Sequence, residues 1–417
     1  MFKVLFSLLF FINFLNSNQQ RGGKQGISIE TNKQDTIFKK VKFGFNIGYL
    51  GDLNNNKVFE KPLLTIKQDG ISDIRVYEPF TKNLVKQPSL QYEILNHLVD
   101  LGFEVLLSLS NYPMLNKKDS LNAANITDEK VKKMSAYTFR NPPSDFSSYL
   151  NYLENFVNKL KLKNSLSQIE FEIGNEPDAK IYFWGGSSDF IQIARGTKKI
   201  LEKYHRPIYC CGFTSEFANN DQQGSKNYLD FVDDSGFFSD NVNLSFHFYP
   251  NNKYTTNSIR LPELNNSIIS EFNLFSYQTK SSKDKINYTN SSEFASSLIE
   301  LLQFAYENDV TSIYLFKLVD NPGKEGALGF FDSNGNAKPS YEYFLKIYSV
   351  VKDGYKIERA NNYIRLIGKE KAIVYALNNN VSFPLIGDQK IIDAYSKDIQ
   401  QHFKPLLQKR QWVIITQ

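Results

Sequence analysis

Two glutamates stand where a sequence can deliver acids to chemistry. Glu176 follows an alternating run, Ile169-Glu170-Phe171-Glu172-Ile173, and then Gly174-Asn175-Glu176-Pro177-Asp178. The alternation stops at a glycine, so a carboxylic acid is presented where a strand ends and a loop begins. Glu271 has the same setting, in Ile268-Ile269-Ser270-Glu271-Phe272-Asn273. Taken singly, a glutamate near a strand end is more often a solvated loop residue or an ion-pair partner. Two of them, carried on nearly opposite strands of one closed sheet, would face each other across a small cleft. One could then protonate a departing oxygen while the other stabilises or attacks a cationic sugar carbon, the division of labour that glycosidic-bond hydrolysis requires.

Other residues fall at the same ends. The run before Glu271 finishes Phe246-His247-Phe248-Tyr249-Pro250, adding an imidazole and a phenol. Arg75, in Ile74-Arg75-Val76, puts a cation inside a strand, where it needs an anionic partner. Trp184, in Tyr182-Phe183-Trp184-Gly185-Gly186, is either a ring for stacking on a sugar or a core or lid residue. Lys317, in Phe316-Lys317, either pairs with a substrate carboxylate or is solvent-facing or salt-bridged. His97 lies beside a helical stripe and His205 near a helix end, so the four histidines are too scattered to make a metal site. No Gly-rich phosphate loop follows a strand and no Gly-x-Ser-x-Gly occurs, so neither a metal nor a cofactor is expected.

The elements that must hold these groups repeat. Short runs rich in β-branched and aromatic residues occur at 43–47, 71–77, 105–109, 169–173, 208–213, 244–248, 268–272 and 312–316. Helical periods or loops separate most of them, the signature of parallel βα units, and eight such units close a barrel. Between Ser144 and Leu162, apolar residues Phe146, Tyr149, Leu150, Leu153, Phe156, Val157 and Leu160 recur at steps of three and four behind Ser144, a residue able to cap the start. Similar stripes occur at 94–101, 294–305 and 341–348. The link between 248 and 268 is Asn-rich, carries two prolines and predicts a reduced or missing helix. The fold class expected is α/β, a (β/α)8 TIM barrel at 41–351. Beyond residue 352, alternating runs at 363–367, 372–377, 391–395 and 412–416 predict a small C-terminal β-sandwich-like domain at 352–417, which the segment at 18–40 would join as an extra strand.

The chain of 417 residues is long enough for both, and its 14% aromatic content suits a packed core and a sugar-stacking cleft. Lys and Arg exceed Asp and Glu by a net +5 spread without a dense basic run, so no nucleic-acid partner is expected. Residues 1–17 combine Lys3, an apolar stretch and a small residue at Ser17, which predicts a signal peptide and a secreted or lysosomal protein with no integral membrane span. Sequons start at Asn125, Asn243, Asn265, Asn287, Asn290 and Asn380, although Asn243 enters a buried strand. Cys210 and Cys211 are adjacent, and neighbours on a strand point to opposite faces, so they are expected to be two small buried residues rather than a disulfide.

The segment Phe171-Glu172-Ile173-Gly174-Asn175-Glu176-Pro177-Asp178 resembles the fourth-strand motif of the clan A retaining glycoside hydrolases, especially their heparanase and β-glucuronidase branch. Ser245 to Pro250 and Ser270 to Asn273 fit the same pattern, and Gly329-Phe330-Phe331-Asp332 through Lys338-Pro339-Ser340-Tyr341 is similar to the barrel end of the iduronidase and β-xylosidase branch. The resemblance spans roughly residues 43–350. It implies Glu176 as general acid/base, Glu271 as nucleophile, Asn175 as a ligand of the hydroxyl beside the reacting carbon, and Tyr249 as a hydrogen-bond donor to the nucleophile. It implies an oligo- or polysaccharide substrate, with uronic-acid-containing glycans or β-glucuronides preferred and β-xylosides or β-glucosides the alternative, a glycan-binding barrel without turnover being a further one. Glu176 would need a pKa raised towards neutrality, whereas Glu271 must stay ionised with help from Arg75 or Tyr249. A retaining mechanism asks for carboxyls roughly 5 Å apart, an inverting one for a separation nearer 9 Å. Many clan A members have a tryptophan at the end of the eighth strand, where this chain has Phe316-Lys317.

Overall fold

The computed structural model describes residues 38–49, 57–77, 88–110, 142–143, 145–162, 165–179, 182–183, 185–215, 231, 237–238, 242–250, 255–256, 259, 266–274, 291–320, 328–383, 385, 389–394 and 406–416. Phe38–Gln417 forms one compact unit. The expected signal peptide, Trp184, the sequons at Asn125, Asn265, Asn287 and Asn290, and most of the 248–268 link lie outside the described residues.

Eight strands close a barrel: β1 (Lys42–Tyr49), β2 (Asp73–Tyr77), β3 (Glu104–Leu109), β4 (Ile169–Ile173), β5 (Ile208–Phe213), β6 (Val242–Phe248), β7 (Ile268–Phe272) and β8 (Ser312–Phe316). Each is parallel to the next, and β8 returns to β1. The two faces of each strand explain its composition. Ile74 and Val76 of β2, Val105, Leu107 and Leu109 of β3, and Phe171 and Ile173 of β4 join the apolar layer shared with the helices. The alternate residues, among them Arg75, Tyr77, Ser108 and Glu172, point inward, and those four are equally buried.

The described helices are α1 (Glu60–Gln68), α2 (Pro88–Asp100), α3 (Phe146–Leu162), α4 (Ser187–Leu201), α5 (Ser291–Glu307) and α6 (Pro339–Val351). In α3 the predicted stripe is buried at Tyr149, Leu153, Phe156, Val157 and Leu160. Ser144 is not among the described residues, and Asp145 supplies the cap, its carboxylate accepting from Ser148 N at 3.0 Å and Ser148 Oγ at 2.7 Å. Inside the barrel, Leu106, Tyr209, Ile268 and Tyr314 from four strands meet in a cluster of their own. Gly44 makes room for it, since a Cβ there would lie 2.6 Å from the Tyr314 ring and 2.8 Å from the Asp73 carbonyl.

One sequence expectation is overturned in β5. Cys210 and Cys211 are disulfide-bonded to each other, and both are buried. The alternation argument assumed a trans peptide; here the peptide between them is cis, their Cα atoms are 3.0 Å apart, and the two sulfurs reach one side.

After the barrel come β9 (Lys356–Arg359), β10 (Tyr363–Ile367), β11 (Lys371–Ala376), β12 (Val381–Ser382), β13 (Ile391–Ala394), β14 (Leu406–Leu407) and β15 (Trp412–Thr416). Five form an antiparallel sheet in the order β13-β15-β11-β10-β9, and β12 pairs with β14. Period-two alternation splits the larger sheet. Ile364, Leu366, Ile373, Tyr375, Trp412 and Ile414 belong to the apolar core of the barrel's helical layer. Ala372, Val374, Ala376, Val413 and Ile415 instead face Val381 and Leu407 of the small pair. Against α5, Tyr355 Oη donates to Leu302 O at 2.6 Å and Tyr375 Oη to Glu300. At the described end of the 18–40 segment, Lys39 forms an antiparallel bridge with Tyr355, just ahead of β9. No helix among the described residues is long and apolar enough to cross a membrane.

Candidate active site

The C-terminal ends of β2, β4, β6 and β7 bring Arg75, Tyr77, Glu172, Asn175, Glu176, His247, Tyr249 and Glu271 together, held by a network of hydrogen bonds. At its centre is Arg75, fully buried in β2. Its Nε donates to Glu172 Oε2 at 2.7 Å, Nη1 to Glu271 Oε1 at 2.6 Å and Nη2 to Asn175 Oδ1 at 2.9 Å. Five N–H groups in one plane suit a guanidinium to such a task, and two carboxylates supply the anionic partners its burial demands. Those carboxylates hold Arg75 well above its ordinary pKa, although burial opposes the charge.

Glu271 is likewise enclosed. Besides Arg75, Tyr77 Oη donates to its Oε1 and Tyr249 Oη to its Oε2. Asn46 of β1 places Nδ2 3.5 Å from Oε1, and His247 Nδ1 lies 3.5 Å from Oε2. Burial would raise its pKa, but His247, Arg75 and the two phenols outweigh that and hold it below the usual carboxylate range. The result is an ionised carboxylate at neutral pH with both oxygens oriented. Tyr249 stays a neutral phenol, since its burial and then the Glu271 charge push it well above its ordinary pKa.

Glu176 reaches the site from an unusual backbone. Its φ of 48° lies in the left-handed region that non-glycine residues seldom occupy. Two ties hold it there. Its amide donates to the Gly212 carbonyl of β5 at 2.8 Å. Two residues on, the Asp178 carboxylate accepts from Thr214 N and Oγ1, just past β5. Burial pushes Asp178 up to about 7 despite those bonds. So anchored, Glu176 Oε1 lies 2.7 Å from His247 Nδ1 and its side chain is 13% exposed, leaving the acid open to the mouth. His247 is fully buried, yet the charges of Glu271 and Glu176 overcome that desolvation and hold the imidazole above its ordinary value.

One carboxylate oxygen of Glu176, one of Glu271 and a His247 nitrogen all lie within 4.8 Å of one another. A divalent ion could use such a set, but the Arg75 guanidinium already sits 2.6 Å from Glu271, and a second cation there would meet its repulsion. Asn175, its oxygen taken by Arg75, has its amide N–H groups left for a ligand. Lys317 is buried at the end of β8, its main chain bonded to Leu328 and Phe330. Phe316 beside it packs edge-on to Tyr249, ring centroids 6.1 Å apart.

Tyr77, Glu172 and Asn46 were missed by sequence reasoning. For Tyr77 and Glu172 the signal was parity: Tyr77 is two residues from Arg75, and Glu172 alternates with the outward Phe171 and Ile173.

No protein-family model and no curated protein matches the sequence. Solved structures do. The GH39 β-xylosidase from Caulobacter crescentus superposes with a TM-score of 0.63 at 12% identity, covering 91% of this chain and 96% of that one. The fold is shared. The GH39 enzyme from Xanthomonas axonopodis pv. citri gives 0.60 at 9% identity over 90% and 93% of the two chains. The glycoside hydrolase family 30 subfamily 8 xylanase from Clostridium acetobutylicum gives 0.50 at 11% over 91% and 96%. At such identities the likeness is one of architecture, and the chemistry rests on the side chains just described.

Proposed function

We propose that this chain is a retaining glycoside hydrolase acting on β-glycosidic bonds. The observation that carries the reading is the pairing of Glu176 and Glu271 with carboxylate oxygens within 4.8 Å of each other, the spacing that suits nucleophilic displacement rather than activation of an interposed water. Glu271, ionised and oriented, attacks the anomeric carbon as the glycosidic bond breaks. Glu176, at the mouth, gives its proton to the leaving oxygen, then removes one from the water that releases the sugar. Asn175 binds the neighbouring hydroxyl, and Phe316 and Tyr249 wall the sugar site. A barrel that binds glycans without turnover has no need of this arrangement.

For the sugar, the resemblance of the Glu176 segment to the β-glucuronidase branch favours a uronic acid, with Lys317 as the carboxylate's partner, while β-xylosidases among the fold relatives favour xylose. The apolar N-terminal stretch supports a secreted or lysosomal location. Hydrolysis of aryl β-xylosides, β-glucosides and β-glucuronides by the wild type, Glu176→Ala and Glu271→Ala tests the reading. Glu271→Ala is expected to lose on the order of 10^4-fold or more in kcat. Glu176→Ala is expected to lose roughly 10^2- to 10^4-fold on poor leaving groups, with azide restoring turnover as a β-glycosyl azide. Full activity in either variant, or a product of inverted configuration from the wild type, defeats the proposal.

A further inference from the structure

Two buried polar atoms at the centre of the site have no hydrogen-bond partner among the described residues: Glu172 Oε1 and His247 Nε2. Both side chains are fully buried. Such atoms are costly to leave unmatched, and the reaction just described uses neither. They face the same place. A Cβ on Gly212 would lie 3.2 Å from His247 Nε2 and 3.4 Å from Glu172 Oε1. Glycine keeps that ground clear, and its φ of +60° is one that glycine adopts without penalty. The carboxylate and the imidazole therefore both border the space above Gly212 in β5.

We propose that Glu172 is a positioning residue for the acid/base, the far end of a carboxylate–imidazole–carboxylate chain, Glu172–His247–Glu176, in which His247 carries a proton on both ring nitrogens. The two oxygens of Glu172 divide the work: Oε2 accepts from Arg75 at 2.7 Å, and Oε1 receives the Nε2–H through one bridging water. With Nε2–H so engaged, Nδ1–H points at Glu176 Oε1, 2.7 Å away, and leaves the other oxygen of Glu176 to carry the transferable proton. Atoms balance through the cycle: that proton goes to the leaving oxygen, a proton from water replaces it, and the imidazolium keeps both of its own. Every charged or titratable neighbour fits this assignment. Glu172 and Glu176 approach from β4 and its loop, Glu271 from β7, Arg75 and Tyr77 from β2, and Tyr249 from just past β6, the strand of His247, while β5 contributes only the uncharged Gly212. Two ionised carboxylates, Glu172 and Glu271, and the acceptor oxygen of Glu176 outweigh one guanidinium and favour an imidazolium, and Glu172 is the one that faces Nε2.

The kinetic consequence rests on the glycosidase reading; the charge state of His247 does not. The test is Glu172→Gln, which keeps an acceptor for Arg75 but turns an N–H2 group toward Nε2. With only four histidines in the chain, 15N-histidine labelling lets NMR follow each ring. The expected result is a His247 titration midpoint lowered by about one pH unit or more, with the alkaline limb of kcat/KM moving by the same amount. A uniform loss of rate at every pH with an unmoved His247 midpoint would overturn the proposal, because that is what a purely structural Glu172 gives. If Glu172→Gln does not fold, the wild type decides: both ring nitrogens of His247 protonated at neutral pH, with a slowly exchanging Nε2 proton, supports the chain, and a bare Nε2 overturns it. A moved midpoint in a protein that cleaves no glycoside refutes the glycosidase reading alone; cleavage with an unmoved midpoint refutes only this chain.

Discussion

Tyr77 shows how a single hydroxyl can carry weight here. It donates to Glu271 and accepts from Arg75 Nη1 at 3.1 Å. Tyr77→Phe should cost a charge-assisted hydrogen bond, about 1.5–3 kcal/mol, or roughly ten- to hundredfold in kcat/KM, with the melting temperature little changed. The ionisable groups set the pH dependence. Glu271 is held below the usual carboxylate range, and His247 keeps its proton above the usual histidine range. In kcat/KM the acid limb, where Glu271 gains a proton, should therefore fall below about pH 4.3, and the alkaline limb, where His247 loses one, above about pH 6.5. A pH–rate profile from 3 to 9 checks both. The same shifts bear on folding: the His247 contribution to stability is complete below about pH 6.5 and is lost as pH rises through its raised value, and that of Glu271 is complete above about pH 4.3 and is lost as pH falls through its lowered one.

The strands place these groups, and most were legible. In β4 the alternation ends at Gly174, and β4, β5, β7 and β8 have the limits read from the sequence. Arg75 announced itself as a cation in need of anions. What stayed hidden depends on neighbours far along the chain: Tyr77 and Glu172 gain meaning only once parity is combined with closure of the barrel, and Gly212 only once Glu176 is seen hanging from its carbonyl. The cysteine pair misled because period-two reasoning holds only for extended trans backbone. Gly44 offers a test of how tightly strand pairing is tuned. Gly44→Ala drives a methyl into the Tyr314 ring and the Asp73 carbonyl and should cost about 1–3 kcal/mol by chemical denaturation. Tyr314→Leu on that background should recover part of the loss.

Barrel and trailing sheet share one apolar core. Trp412 is fully buried with its ring edge-on to Tyr343 of α6 at 5.9 Å, and Tyr355 and Ile364 are fully buried in the same core. The sheet was foreseeable from its turn residues, but its two-faced packing was not, because the faces become distinguishable only against α5 and α6. Removal of residues 352–417 would bare this face, so the truncated chain should be insoluble or lose cooperative unfolding, as measured by expression and thermal melting.

Leu106, Tyr209, Ile268 and Tyr314 fill the barrel interior beside Arg75 and Glu172, and a barrel so packed is no through-channel. A chamber with one door imposes an order of traffic. The departing alcohol must clear the doorway before water can approach Glu176, and any other alcohol waiting there competes for the same covalent sugar. On the proposed mechanism, the blocked floor makes the chain a potential maker of glycosidic bonds as well as a breaker of them, with the concentration of acceptor at the mouth deciding which.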